Sequence, residues 1–245
     1  FGGSWRDFSN KQLRRLNMKA MILAAGRGER LRPLTDTTPK ALVQAGEKPL
    51  IQYHIENLAS AGVKDVVINI SWLGDKVESF IGNGSAFGIN VQWSREHRPL
   101  ETGGGIRRAL PLLGSEPFLL VNADVWTDFP LKNLVEKLLP SEIDAHLILV
   151  PNASHHMDGD FILTPESIVS TPNARNNTYT YSGISILRPK IFNVHASTTE
   201  KFPLRDVLCE SISSGRIEGE IYTGVWRDIG TLMRLHELDE YLMKR

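Results

Sequence analysis

Residues 23–40 read LAAGRGERLRPLTDTTPK and directly follow the apolar segment 20–22, which predicts a buried strand that runs into a glycine loop. Because alanine and glycine carry little or no side chain, the backbone N–H groups of such a loop can approach a phosphate closely. Arg30 and Lys40 bring positive charge to the same loop, where it can stabilise a phosphoryl group during transfer. The segment therefore predicts a site for a phosphorylated ligand.

Three interpretations of this segment compete. A dinucleotide-binding site would carry GxGxxG, but after Gly26 and Gly28 the third glycine position holds Leu31. A P-loop would carry GxxxxGK followed by Ser or Thr, which the chain lacks. A lone GxG would favour the third interpretation, a glycine turn with solvated basic side chains. The whole run, with Pro39 and Lys40 close behind it, favours the phosphate site.

The rest of the chain alternates apolar runs with segments of helical period. Up to Val150 we expect five strands alternating with four helices, the last of them over 131–139. Such βαβ units give a mainly parallel sheet covered by helices on both faces. After Val150 we expect shorter strands joined by turns, one of them over 218–230, together with a helix around 203–214 and a closing helix from Thr231. The predicted fold is α/β, with a mixed, mainly parallel Rossmann-like sheet and a small β-rich part.

The domain boundaries follow from the same pattern. Met18 stands directly before the first strand, so we treat residues 1–17 as a leader or an addition to the native chain. A length of 245 residues allows one large α/β domain. We predict a single domain over 18–245, made of two halves, 18–150 and 151–245.

Composition excludes several function classes. Lys+Arg and Asp+Glu both total 28, and a net charge of zero argues against a nucleic-acid partner. No apolar run approaches the ~18 residues of a membrane span. The single cysteine, Cys209, cannot form an intrachain disulfide, which indicates a reducing compartment. We therefore expect a cytoplasmic protein with small-molecule partners and no membrane contact.

Two aspartates are candidate metal ligands. Asp124 falls at the carboxyl end of a buried strand, where open α/β sheets place their ligands, and Asp228 lies far along the chain. Two carboxylates plus phosphate oxygens are a usual way to hold magnesium. A single aspartate after a strand is, however, more often a turn or cap residue. His155 and His156 lack further ligands at convincing spacing, so we interpret them as part of a solvated loop.

The run 23–40 resembles the signature of the sugar-1-phosphate nucleotidyltransferases, in which a strand leads into LAAGxGxRLxPLT and then a PK pair. The resemblance continues in the family's order to about residue 240. Its further segments are KPLI at 48–51, ETGG at 101–104, NAD at 122–124, SGI at 182–184 and WRDIGT at 226–231. Ala123 departs from the family, which usually has glycine before the metal aspartate. Because alanine is small, we expect little effect.

The resemblance implies a reaction: transfer of UMP from UTP to a sugar 1-phosphate of peptidoglycan recycling, with pyrophosphate as product and Mg²⁺ as cofactor. It makes Arg30, Lys40 and Asp124 catalytic, and Asp124 and Asp228 the metal ligands. It makes 18–150 the nucleotide-binding half and 151–245 the half that binds the sugar phosphate.

The same resemblance implies the binding residues. Those for the nucleotide are Leu23, Ala24, Ala25, Gly26, Gly28, Glu29, Arg30, Lys40, Glu101, Thr102, Gly103 and Gly104. For the whole segment 101–105, tight packing of a helix N-terminus on the sheet is equally compatible. Those for the sugar phosphate are Asp160, Ser182, Gly183 and Trp126. Trp126 and Tyr181 could form an apolar wall against the sugar, although core packing explains both side chains equally well.

Other functions stay open on sequence alone. A sister enzyme could use the same loop with glucose 1-phosphate, mannose 1-phosphate or phosphocholine and dTTP, GTP or CTP. A non-catalytic nucleotide-sugar sensor would keep the fold without pyrophosphate release. An oxidoreductase with a dinucleotide cofactor is disfavoured by Leu31 in place of the third glycine. For the oligomeric state we expect a monomer or a weak homodimer.

Overall fold

The computed structural model describes residues 18–172, 177–194 and 199–245; the predicted leader, 1–17, lies outside them. In chain order the strands are β1 (Ala20–Leu23), β2 (Gln44–Ala45), β3 (Lys48–Pro49), β4 (Asp65–Ile70), β5 (Asn90–Arg95), β6 (Phe118–Asn122), β7 (Val125–Thr127), β8 (Ala145–Val150), β9 (Ile162–Leu163), β10 (Val169–Ser170), β11 (Thr180–Leu187), β12 (Ile217–Ile221) and β13 (Trp226–Asp228). The helices are α1 (Leu34–Thr37), α2 (Leu50–Ser60), α3 (Gly74–Ile81), α4 (Glu101–Leu113), α5 (Lys132–Val135), α6 (Ile191–Val194), α7 (Leu204–Ile212) and α8 (Leu232–Met243).

A seven-stranded sheet in the order β12-β8-β11-β6-β1-β4-β5 forms the centre of the described structure. Strands β6, β1, β4 and β5 are parallel neighbours, and β12 is parallel to β8. Strand β11 lies between β6 and β8 and runs antiparallel to both. Of the strands after Val150, β11 is therefore inserted into the sheet begun by the first half, and β12 extends its edge. The mixed, mainly parallel sheet confirms the predicted fold class.

The sheet separates two apolar cores. In β1, Ala20 and Ile22 face the core beneath α2 and α3, whereas Met21 faces the core beneath α4 and α7. This alternation is the period-two pattern of a strand whose two faces are both covered. A third cluster, which includes Trp126 and Leu238, packs α8 against the strands that follow the phosphate loop. The helices thus fix the sheet on both faces.

Two local predictions are wrong. The helix predicted over 131–139 ends at Val135, and the carbonyls of Leu139 and Pro140 instead accept hydrogen bonds from the Arg188 guanidinium. The strand predicted over 218–230 is two strands in two different sheets, β12 and β13. Among the described residues, no helix combines the length and apolarity that crossing a membrane requires.

The parallel strands bring their carboxyl ends to one edge of the sheet. The phosphate loop follows β1, Asn69 lies near the end of β4, Glu96 follows β5, and Asp124 comes two residues after β6. Ligands of open α/β sheets bind at this edge. The functional site is therefore expected there.

Candidate active site

The loop after β1 is held in shape by Gly28. This residue adopts φ +66°, and a Cβ built on it would lie 2.9 Å from the Thr35 methyl carbon and 3.0 Å from Lys40 Cβ. The Thr35 hydroxyl donates a hydrogen bond to the Gly28 carbonyl over 2.8 Å. Leu31 is fully buried and anchors the short 3-10 turn Glu29–Leu31. Position 28 therefore needs glycine both for its backbone angle and for its close neighbours.

A buried polar chain supports the start of the loop. The Ala24 N–H donates to Asn69 Oδ1 over 2.8 Å, and Asn69 Nδ2 donates to Glu96 Oε1 over 2.7 Å. The second Glu96 oxygen accepts the Leu100 N–H over 3.1 Å. Burial raises the pKa of Glu96, although its hydrogen bonds oppose that shift. Asn69 and Glu96 were not predicted as site residues from the sequence. The only feature that could have indicated them is a polar side chain at the end of a strand.

The loop forms one wall of a cleft of about 630 Å³ at the carboxyl edge of the sheet. All predicted nucleotide-binding residues line this cleft except Gly103 and Gly104. Glu96, Asn122 and Lys201 line it as well. The structure thus brings together segments that are up to 207 positions apart, from Leu23 to Gly230.

Gly103 and Gly104 instead face the 199–204 segment. The Gly104 N–H donates to the Phe202 carbonyl over 3.1 Å. A Cβ on Gly103 would lie 2.5 Å from the Phe202 ring, and one on Gly104 would overlap the Glu200 carbonyl. The amide of Gly104 is therefore not free for a base, and helix packing explains both glycines. This corrects their prediction as nucleotide-binding residues.

Lys40 and Asp124 meet at the inner end of the cleft, where Lys40 Nζ lies 2.6 Å from Asp124 Oδ2. The lysine side chain is 11% exposed and the aspartate side chain 44% exposed, so the carboxylate remains open to the cleft. The Ile229 N–H donates to the Asp124 carbonyl over 2.7 Å. Together with the pairing of Asp228 and Val125 between β13 and β7, this contact brings Asp228 beside Asp124.

Asp228 is held by two basic side chains. His155 Nε2 lies 2.8 Å from Asp228 Oδ1, and Arg234 Nη1 contacts Asp228 Oδ2. Arg234 Nη1 also lies 2.7 Å from His155 Nε2. His155 lies in an exposed loop, as expected, but its ring also joins the Asp228 cluster. Neither His155 nor Arg234 was identified as a site residue from the sequence.

A second cleft of about 340 Å³ opens beside the first. The two clefts share Arg30, Asn122 and Asp124. Ser182, Gly183, Tyr181 and Trp226 belong to the second cleft alone, as do Asp228, Arg234, His155 and His156. A ligand in each cleft would meet the other at Arg30 and Asp124.

Asp160 supports this second cleft from behind. Its Oδ2 accepts the Tyr181 N–H over 2.9 Å, and its Oδ1 lies 3.2 Å from His156 Nε2. Burial raises the pKa of Tyr181, whose hydroxyl lies 2.8 Å from Ser185 Oγ. Asp160 thus positions the Tyr181 backbone, next to Ser182 and Gly183.

Trp126 does not reach either cleft. It is 5% exposed and packs edge-on against Tyr53 and Tyr241, with ring centroids 6.3 and 5.5 Å away. Trp226 lines the second cleft instead and donates its indole N–H to the Ser182 carbonyl over 2.9 Å. The prediction of Trp126 as a sugar-binding residue is therefore wrong, and the aromatic side chains that line the second cleft are Tyr181 and Trp226.

The carboxylates of Asp124 and Asp228 fit a hard divalent cation. Both line the second cleft, and magnesium accepts two carboxylates when phosphate oxygens and waters complete its shell. In the part of the chain that the structure describes, no three His, Cys, Asp or Glu side chains group closely enough to hold a metal. The donor set therefore fits an ion that substrate phosphates help to bind.

Fold and clefts together define an α/β protein with two adjoining clefts at the carboxyl edge of its sheet. Residues 19–245 match the family model described as nucleotidyl transferase, and the chain belongs to this family.

Three relatives illustrate the similarity. The chain is 49% identical over 224 residues to N-acetylmuramate alpha-1-phosphate uridylyltransferase of Neisseria meningitidis, which covers 90% of this chain and 96% of that one. It is 32% identical to the enzyme of the same name from Caulobacter vibrioides, over 86% and 91% of the two chains. A crystal structure from Bacillus anthracis, described as a glucose-1-phosphate thymidylyltransferase, shares the fold with a TM-score of 0.82 at 21% identity, over 92% of this chain and 95% of that one.

Proposed function

We propose that this protein transfers UMP from UTP to N-acetylmuramate α-1-phosphate, which gives UDP-N-acetylmuramate and pyrophosphate. The observation that carries the proposal is the junction of two clefts at Arg30, Asn122 and Asp124. Such a junction suits a reaction in which two phosphorylated substrates must touch. The 49% identity to the Neisseria meningitidis uridylyltransferase supports this choice of donor and acceptor.

UTP occupies the first cleft, with its triphosphate on the loop from Gly26 to Arg30. The glycines allow backbone N–H groups to approach the phosphates, as at other phosphate-binding loops. The uracil lies toward Glu101 and Thr102, at the far side of the same cleft from Asp124. No described residue forms an ion pair or a hydrogen bond with the Arg30 side chain, so its charge is available to the triphosphate.

The acceptor occupies the second cleft, with its phosphate at the junction. A phosphate oxygen attacks the α-phosphorus of UTP in line, and the bond between the α-phosphorus and the bridging oxygen breaks. Pyrophosphate leaves with that electron pair, and Arg30 neutralises its charge. Lys40 holds the α-phosphate and the acceptor phosphate together. Because the attacking oxygen is already anionic, the reaction needs neither a general base nor a covalent enzyme intermediate.

Asp124 and Asp228 are the residues that would hold Mg²⁺. A magnesium ion bound there supplies positive charge beside the phosphates of both substrates. Lys40 and the pair Arg234 and His155 neutralise the two carboxylates in its absence.

The proposed acceptor is a sugar of the bacterial cell wall, so the reaction belongs to peptidoglycan recycling. Because UTP is a cytoplasmic metabolite, the protein is expected in the cytoplasm, as a monomer or a weak homodimer.

A substrate panel tests the proposal. The purified protein is incubated with Mg²⁺, each of UTP, dTTP, GTP and CTP, and each of four acceptors, and pyrophosphate release is measured. The acceptors are N-acetylmuramate, glucose and mannose 1-phosphates and phosphocholine. The highest rate is expected with UTP and N-acetylmuramate α-1-phosphate. A higher rate with another pair would identify a sister enzyme, and no release with any pair would identify a non-catalytic protein.

A further inference from the structure

Basic side chains line the second cleft beyond its junction with the first. Arg30 stands at its junction with the nucleotide cleft, whereas Arg234, His155 and His156 border the second cleft alone. A sugar 1-phosphate with a neutral sugar requires positive charge only at its phosphate, which meets the donor at the junction. The basic side chains beyond the junction therefore face the sugar.

Two of these side chains already bind a carboxylate. His155 Nε2 lies 2.8 Å from one oxygen of Asp228, and Arg234 Nη1 contacts the other. The Arg234 side chain is 13% exposed, so its charge is largely shielded from water. Charge-assisted hydrogen bonds of this kind are shorter and stronger than neutral ones. The two side chains thus form a site of the right size and charge for one carboxylate group.

Neighbouring residues hold this site in place. The Thr231 hydroxyl lies 3.4 Å from Arg234 Nε, at the first turn of α8. Gly230 leaves room for the guanidinium, because a Cβ at that position would collide with Arg234 and would lie 3.0 Å from Arg30 Nη2. The two arginines consequently flank the same glycine, with Arg30 toward the donor and Arg234 toward the acceptor.

Asp228 is also one of the two carboxylates that fit a divalent cation. If Asp228 turned toward such a cation beside Asp124, its carboxylate would leave Arg234 and His155. A carboxylate from the ligand can then take the same place without further rearrangement of the basic side chains.

We propose that Arg234 and His155 bind the lactyl carboxylate of the acceptor, and that this contact selects N-acetylmuramate over N-acetylglucosamine. The inference rests on the proposed function, since only the first of these sugars carries a carboxylate. Asp228 then acts as an internal occupant of the site until the acceptor arrives. Arg234 is a specificity-determining residue in this account.

Two acceptors that differ only in the lactyl ether test the inference. The value of kcat/KM is measured with N-acetylmuramate α-1-phosphate and with N-acetylglucosamine α-1-phosphate, and their ratio gives the selectivity. Arg234→Gln is expected to lower this ratio about 10- to 100-fold, the range for one charge-assisted contact. Arg234→Lys, which keeps the charge, is expected to retain most of it. The control Arg205→Gln replaces an exposed arginine of α7 outside both clefts and should leave the ratio unchanged.

A binding measurement independent of turnover completes the test. Asp228→Asn keeps the shape of the side chain and removes its charge, which releases Arg234 without any metal. Calorimetry on this variant, without UTP or Mg²⁺, should show tighter binding of N-acetylmuramate α-1-phosphate than of its methyl ester. Adding Arg234→Gln should abolish that difference.

The outcomes separate the two proposals. If the wild-type protein makes no UDP-sugar from N-acetylmuramate α-1-phosphate, the proposed function fails and the inference falls with it. If it does, but Arg234→Gln lowers kcat/KM equally for both acceptors, the proposed function stands and the inference is overturned. Equal binding of the acid and its ester by Asp228→Asn would also overturn it.

Discussion

Lys40 Nζ lies 2.6 Å from Asp124 Oδ2, and this ion pair joins the phosphate loop to the segment after strand β6, across 84 positions of the chain. The contact closes the inner end of the nucleotide cleft and places one positive and one negative charge where the two clefts meet. In the proposed reaction both groups act on the same phosphates, Lys40 directly and Asp124 through a bound cation.

Replacement of Lys40 tests this arrangement. Lys40→Met keeps the length of the side chain and removes its charge, so turnover is expected to fall about 10²–10³-fold, as for other preorganised charge contacts. Asp124 stays solvated because its side chain is 44% exposed, so the variant should remain folded. Steady-state rates and thermal melts measure the two effects. Lys64→Met, at an exposed lysine outside both clefts, is the control, and an equal loss of turnover there would contradict the assignment.

Gly28 offers a test of the loop geometry. Both Gly28 and Gly215 adopt φ +66°, but only at Gly28 would a Cβ meet close neighbours. Gly28→Ala and Gly215→Ala should therefore each lose about 1–2 kcal/mol of stability from the backbone angle. Only Gly28→Ala should also lower turnover, by roughly 10²-fold, because the loop must shift away from Thr35 and Lys40. Normal turnover in folded Gly28→Ala would show that the loop shape is not needed for catalysis.

The two tryptophans are expected to behave differently. Trp126→Ala removes a buried aromatic side chain and should lower the free energy of unfolding by about 3–5 kcal/mol. Trp226→Ala removes a cleft wall and should mainly raise KM for the acceptor. Urea unfolding and acceptor titrations measure these effects. If Trp126→Ala raised the KM for the acceptor and left the stability unchanged, Trp126 would contribute to acceptor binding after all.

His54 predicts a pH dependence of stability. Burial lowers its pKa to about 4, and its Nε2 has no hydrogen-bond partner among the described residues. In the unfolded chain the pKa is about 6.5, so between that pH and 4 only the unfolded state binds the proton. Stability therefore falls as the pH is lowered through this range and is unaffected by His54 above it.

Urea unfolding at pH 7.5 and pH 5 checks this sign. The wild-type protein should lose about 2 kcal/mol more between these pH values than His54→Gln, which cannot gain a proton. Equal losses in the two proteins would show that His54 is protonated in the folded state.

The sheet and its main helices follow from the sequence because their signals are local. Apolar runs with glycine or proline at their ends correctly predict β1, β4, β6, α2 and α4. The helix over 131–139 is predicted too long because contacts far along the chain shape its end. The Arg188 guanidinium, about 50 positions away, donates hydrogen bonds to the carbonyls of Leu139 and Pro140. Periodicity contains no information on such a contact.

The choice between Trp126 and Trp226 shows a similar limit. Each lies two positions from a candidate metal ligand, so spacing along the chain does not separate them. The register of β7 and β13 does, because Trp226 pairs with Thr127 and Arg227 with Trp126. Side chains alternate across a strand, so Trp226 shares a face with Asp228, and Trp126 points the other way.

Arg234 and His155 are the site residues that were hardest to predict from the sequence. One stands in the first turn of the closing helix and the other in a loop 79 positions earlier. Neither belongs to a segment with metal or phosphate spacing, and only the fold brings both to Asp228.

Attack by the acceptor phosphate, which stays in the product, is the central claim, and isotope labelling tests it in one measurement. The protein is incubated with Mg²⁺, UTP and N-acetylmuramate α-1-phosphate that carries ¹⁸O in its phosphate. Mass spectrometry then measures the ¹⁸O content of each product. All of the label is expected in UDP-N-acetylmuramate and none in pyrophosphate. Label in pyrophosphate, or no UDP-N-acetylmuramate at all, would contradict it.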